Sequence, residues 1–81
     1  NSEGLALTYA ALCQQLNLPC HVAQGTLEDT TCFWNVVQTE AGWRHIDLSA
    51  MDGREIPLYT DLEFWELGYS WDETTLPSCT E

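Results

Sequence analysis

Apolar positions recur at helical spacing over residues 2–17. Leu5, Tyr9, Leu12, Cys13 and Leu16 share one face there, with Ala6 and Ala10 beside them. Asn1 or Ser2 can cap this helix, because either side chain accepts a hydrogen bond from a free amide of the first turn. Pro19 ends it, since the residue before a proline is pushed out of the α region, and Asn17 suits the turn. The period then changes. Cys20-His21-Val22-Ala23-Gln24-Gly25 reads as a strand, and the polar stretch from Gly25 to Thr31 as a loop. Two apolar and aromatic runs follow, Cys32–Gln38 and Trp43–Leu48, separated by Thr39-Glu40-Ala41-Gly42 in the manner of a hairpin. Asp52-Gly53 is a turn signal. Thr60-Asp61-Leu62-Glu63 matches a capping box and predicts a short helix over 61–67, stopped by Gly68. Phe64, Trp65, Tyr69 and Trp71 are expected in the core, and an exposed cluster among them would mark a binding surface.

One helix followed by consecutive strands, without a second crossover helix, predicts an α+β fold. The N-terminal helix is expected to pack on a small antiparallel sheet. Residues 1–81 form a single domain, in which a chain this short buries only roughly 60% of its unfolded surface. The chain opens at Asn1 without Met, directly inside a helical pattern, and is expected to be a fragment of a larger protein.

The hairpin fixes a local geometry. With the loop at residues 39–42, Gln38 pairs with Trp43, Val36 with His45, and Trp34 lies opposite Asp47. Side chains alternate along a strand, so Cys32, Trp34, Val36, Trp43, His45 and Asp47 share one face. Cys32 and Asp47 become diagonal neighbours, roughly 7–8 Å apart. His45 lies about 13 Å from Cys32 at strand rise. A register slip of one residue would destroy the shared face.

Charge narrows the function. Thirteen Asp and Glu stand against two Arg, giving a formal net charge of -11. Such a surface repels phosphate backbones and anionic membranes, which excludes nucleic acid as a partner. It suits solubility or a basic protein partner. No run approaches a membrane span, so no membrane insertion is expected. The four cysteines allow three disulfide connectivities. Their spacings, with His21 and His45, fit no common zinc pattern, so no metal and no cofactor is expected.

Taken together, Ser2-Glu3-Gly4-Leu5-Ala6, Asn17-Leu18-Pro19, Cys32-Phe33-Trp34-Asn35 and Trp43-Arg44-His45-Ile46-Asp47 resemble the core of the transglutaminase-like superfamily, which has a papain-like fold. Tyr69-Ser70-Trp71-Asp72 and Pro77-Ser78-Cys79 look like the ends of bacterial members. The resemblance implies a catalytic triad at Ser2, Cys32 and Asp47, but with two substitutions. The nucleophilic Cys of the family is Ser2 here, and its base His is Cys32; only Asp47 is kept. In a working site the helix N-terminus favours the thiolate, a histidine takes the proton, and an aspartate orients that histidine. A serine hydroxyl without an imidazole lacks a base, and a thiol near pKa 8.5 does not replace one at neutral pH.

The resemblance therefore implies a catalytically degenerate transglutaminase-like domain, serving as a structural or interaction module of a secreted or cell-surface bacterial protein. Its partners would be other domains of the same chain or a protein or peptide. Two alternatives remain open. One is an active thiol-dependent acyltransferase or peptidase-like hydrolase, using Ser2, Cys32 and Asp47 or Cys32 with His45. The other is a peptide- or carbohydrate-binding module in the old cleft. Each residue also has a plain structural reading. Ser2 caps a helix. Cys32 is a small buried side chain or the disulfide partner of Cys20 or Cys79. Asp47 accepts from nearby backbone, Trp34 and Asn35 pack, and His45 is a half-buried strand residue.

Overall fold

The computed structural model describes all of residues 1–81. Helix α1 (Ser2–Gln15) is followed by strands β1 (Cys20–Leu27), β2 (Thr30–Thr39) and β3 (Gly42–Ile46), helix α2 (Asp61–Glu66) and the short strand β4 (Tyr69–Ser70). Single 3₁₀ turns occupy Leu48–Ala50 and Glu73–Thr75. The strands form one antiparallel sheet in the order β3-β2-β1-β4. The molecule is therefore α+β, with the N-terminal helix on a small antiparallel sheet.

Asn1 is the N-cap of α1, its Oδ1 accepting from the Gly4 amide at 2.7 Å. The helix stops at Gln15, two residues before the expected end at 17. Asn17 adopts φ 57 there. The Leu18 amide donates to the Cys13 carbonyl at 2.8 Å and the Asn17 amide to Gln14 at 3.1 Å. That is a Schellman cap, with asparagine tolerating the left-handed position. The expected leucine face is also displaced. Leu5, Leu12 and Leu16 are exposed, and the buried helix residues are Ala6 and Cys13. The Asn35 Nδ2 group donates to the Ala6 carbonyl at 3.0 Å, a contact that draws the helix close and leaves room only for small side chains beneath it.

The expected loop 25–31 is instead sheet except for a two-residue turn. β1 runs on to Leu27, which pairs with Thr30 across a two-residue turn of Glu28 and Asp29. Both turn residues have positive φ, 48 and 69, the geometry of a tight hairpin turn usually signalled by Asn or Gly. The β2–β3 hairpin follows the expected register, with Gln38 opposite Trp43 and Val36 opposite His45. Its ladder ends at Asn35–Ile46, and Asp47 caps the first 3₁₀ turn.

The Thr60 capping box forms as expected, its Oγ1 accepting from the Glu63 amide and Glu63 Oε1 accepting from the Thr60 amide. Gly68, at φ 101, terminates α2. The sheet face away from α1 carries the main core: Ala23, Trp34, Val36, Phe64, Tyr69 and Cys79. With 14 of 81 residues buried, the core is thin, and Trp34 at its centre carries an outsized share. Trp65 leaves the expected core and is 66% exposed, because it lies on the outer side of the six-residue α2.

Candidate functional site

At the open end of the β2–β3 hairpin, Ser2 meets the backbone of Phe33 and Asp47 lies near Cys32. The Gln38 amide donates toward β1, to the Pro19 carbonyl, so the amides of odd-numbered β2 residues point toward β3. β3 has ended before it reaches Phe33. The freed Phe33 amide donates instead to Ser2 Oγ at 3.2 Å. This sets Ser2 against the backbone that follows Cys32. The expected helix cap is thus Asn1, and the Ser2 hydroxyl ties α1 to the end of the sheet.

Cys32 is partly buried, on the same face as Trp34. Burial pushes its thiol pKa up, and the nearby Asp47 carboxylate pushes it further the same way. Both effects favour the neutral thiol. The Asp47 carboxylate is committed elsewhere. Its Oδ1 accepts from the Ser49 amide at 3.0 Å and the Ser49 hydroxyl at 2.6 Å. Its Oδ2 accepts from the Tyr69 hydroxyl at 2.6 Å. The tyrosine's own pKa is raised by burial and by that bond. Asp47 therefore holds a turn and β4 in place. It accepts from side chains as well as from the backbone, and no imidazole is among its partners.

Neither histidine reaches this end of the hairpin. His21 pairs with Val36, while Cys32 pairs with Gly25, so they stand four residues apart along the sheet, about 13 Å at strand rise. His45 is fully buried rather than half-buried, at 0% exposure. The Trp34 Nε1 group, which can only donate, bonds His45 Nδ1 at 3.0 Å. The neutral ring must then carry its proton on Nε2, which donates to Asp61 Oδ1 at 2.7 Å. The Cys79 amide donates to the other oxygen, Oδ2, at 3.1 Å. Phe64 stacks on the imidazole, with ring centroids 4.6 Å apart.

The ligand-capable atoms of His45, Asp61 and Cys79 lie within 4.8 Å of one another, the one such group in the fold. The hydrogen bonds argue against a metal there. A cation at Nε2 would have to displace the ring proton while Trp34 still donates to Nδ1, leaving an imidazolate. Without a cation, the Cys79 thiol is pushed up to about 12, first by burial and then by Asp61. The set is a hydrogen-bonded core network. All four cysteines are free thiols, so the alternative reading of Cys32 as a disulfide partner of Cys20 or Cys79 does not hold.

That network has a consequence for pH. Burial lowers the His45 pKa below 6.5, and the Asp61 bond offsets this only in part. The native state thus refuses a proton that the unfolded chain accepts near pH 6.5. Stability should be fully present above about pH 6.5 and fall as pH drops from there toward the depressed native pKa. Glu63 and Asp72 have lowered pKa values from ordinary values of 4.5 and 3.8, so their losses come at lower pH. Urea midpoints between pH 7.5 and 5 check this, with His45→Gln as control. Glutamine can still accept from Trp34 and donate to Asp61 but does not titrate, so its midpoint should stay flat. A flat wild-type midpoint would refute the assignment.

A second feature was not legible in the motifs. A cleft of about 380 Å³ opens between α2 and the segment after β4, lined by Asp61, Leu62, Trp65, Ser70, Trp71 and Glu73. The capping box placed Asp61 at a helix start, but nothing in the spacing joined it to Trp71 or Glu73. No family model, curated protein or solved structure matches the chain.

Proposed function

We propose that this chain is a catalytically silent transglutaminase-like domain acting as a structural or protein-interaction module. The observation that carries the reading is the commitment of both groups that could support catalysis. Asp47 is occupied by Ser49 and Tyr69, and the His45 imidazole is buried between Trp34 and Asp61. Cys32, where the resembled family has its base, is a thiol whose pKa is raised rather than lowered. Ser2, at the nucleophile position, accepts from the Phe33 amide and has no base beside it. Losing a nucleophile or base from such a set removes most of the rate enhancement. A secreted or cell-surface setting, in bacteria, follows from the resemblance alone.

The test is the reactivity of Cys32 at neutral pH. Iodoacetamide labelling followed by peptide mapping should give Cys32 a rate at or below that of a free small-molecule thiol, because only the thiolate reacts. Incorporation of a fluorescent primary amine into a glutamine-containing peptide should not exceed the rate without protein. A strongly accelerated Cys32 rate that His45→Ala abolishes would overturn the reading in favour of an active thiol enzyme.

A further inference from the structure

We propose that the cleft lined by Trp65, Trp71, Asp61 and Glu73 binds an arginine side chain of a basic peptide. The cleft shares no residue with the Ser2, Cys32 and Asp47 positions, so the proposal stands whether those are silent or active.

The argument starts from the His45 tautomer. Trp34 donates into Nδ1, so the imidazole that touches Asp61 is neutral. The His45–Asp61 contact is the sole pairing of an acidic group with a basic side chain at ion-pair distance. Arg44 donates to the backbone carbonyls of Ala41, Trp43 and Thr80 instead, and Arg54, the nearer arginine in sequence, makes no ion pair. Asp61, 24% exposed at its side chain, therefore places a carboxylate at the cleft with no cationic partner at ion-pair distance. Each of its oxygens has accepted one donor, from His45 or from the Cys79 amide, and each keeps a lone pair free. Those two fixed donors also hold the carboxylate in one orientation. Glu73 adds a second carboxylate to the lining.

The aromatic residues complete the chemistry. Trp71 is held from behind, with its ring 4.6 Å from His45, 5.9 Å from Phe64 and 6.1 Å from Trp34 by centroid. Trp65 is 66% exposed, with Leu62 beside it in the lining at 65%. A guanidinium stacks on an indole face and meets a carboxylate with a planar fork of donors, whereas an ammonium offers a point charge. A neutral sugar would also stack on tryptophan and its hydroxyls can donate to Asp61, but it would bring no countercharge for the Asp61 and Glu73 carboxylates. The net charge of -11 steers cations toward the surface from a distance. The arginine belongs to an extended segment rather than a free amino acid, because Leu62 and Trp65 offer apolar surface outside the charged part of the cleft.

The experiment is a titration of the uniformly ¹⁵N-labelled chain at low salt. The probe is the N-acetylated, C-amidated peptide Gly-Arg-Arg-Gly, and the readout is the four tryptophan indole signals. The Trp65 and Trp71 signals should shift together, while Trp43 stays in place. Trp65→Ala and Glu73→Gln, both surface changes, should each weaken the affinity about 3- to 10-fold, in line with a cation–π contact and one charge. Added salt should weaken it further. No shift up to about 10 mM peptide would overturn the proposal. Equal shifts with Gly-Glu-Glu-Gly, or tighter binding of an N-acetylglucosamine oligomer, would overturn it as well. These outcomes are independent of Cys32 labelling, so failure here and failure of the silent-domain reading are separable.

Discussion

Trp34→Ala should remove a large share of the domain's stability, more than any other single substitution in the core. Replacing a buried tryptophan with alanine typically costs about 3–5 kcal/mol. The full stability expected of a chain this size is about 4–12 kcal/mol. Trp34 is 1% exposed and touches nearly every part of the main core. Its ring centroid lies 5.2 Å from Phe64, 5.4 Å from Tyr69 and 6.1 Å from Trp71. Its indole proton also fixes the His45 tautomer at 3.0 Å. Trp34→Phe separates these two roles. Phenylalanine keeps part of the packing but leaves the buried Nδ1 without a donor, at about 1–3 kcal/mol. With no indole donor at Nδ1, that nitrogen can take a proton while Nε2 goes on donating to Asp61, so the loss of stability below pH 6.5 should shrink. Urea unfolding of the two variants across pH measures both effects. A Trp34→Ala variant as stable as the wild type would refute the assignment of this side chain as the centre of the core.

Gly25→Ala is the second large effect, and it acts by excess volume. A Cβ at Gly25 would lie 2.2 Å from the Ser70 carbonyl oxygen and 2.6 Å from the Trp34 ring. The first neighbour is backbone of the adjoining strand and the second is packed on all sides, so neither can yield cheaply. Glycine inside a strand marks such close approaches of another chain segment. Overpacking of a well-filled core costs about 1–3 kcal/mol, and the backbone clash puts this site at the upper end. The short β4 strand is expected to detach first, since it pairs with β1 only at Thr26–Ser70 and Leu27–Tyr69. That would release the Tyr69 hydroxyl from Asp47. Amide exchange of Tyr69 and Ser70 should therefore accelerate more than that of the β2–β3 ladder. Uniform acceleration of both would show that β4 is not the weak point.

The local signals in this chain were strong where chemistry is local. The Thr60–Glu63 capping box and the β2–β3 register both depend on residues within a few positions of one another, and each forms as its residues dictate. The failures have equally specific causes. Glu28 and Asp29 make a tight turn at positive φ without the glycine or asparagine that advertises one. The leucines of α1 set the strongest helical period, yet the helix is rotated so that Ala6 and Cys13 face the sheet. The Asn35 amide, reaching the Ala6 carbonyl, admits only small residues there. Periodicity ranks residues by hydrophobicity and carries no information about how closely a partner surface approaches.

The candidate site divides along the same line. Sequence placed Cys32 and Asp47 on one hairpin, and alternation along the strands was enough to bring them near. It could not show that Tyr69, 22 residues past Asp47, takes one of the carboxylate oxygens. Nor could it show that Asp61 and the Cys79 backbone close around His45. Those partners arrive through α2 and the C-terminal tail, whose docking depends on the shape of the core and not on any short-range pattern.

By itself, the sequence determined the α+β class, the hairpin register, the capped second helix and an acidic surface without a compensating set of cations. These follow from periodicity, capping chemistry and charge count, which neighbouring residues fix together. Only the tertiary structure decided which groups each titratable side chain faces. It committed Asp47 to Ser49 and Tyr69, held His45 neutral between an indole and a carboxylate, and placed Asp61 beside Trp65 and Trp71 in one cleft. Hydrogen-bond partners and burial set a side chain's charge and reactivity. Both are properties of the packed molecule, assembled from segments that the chain keeps far apart.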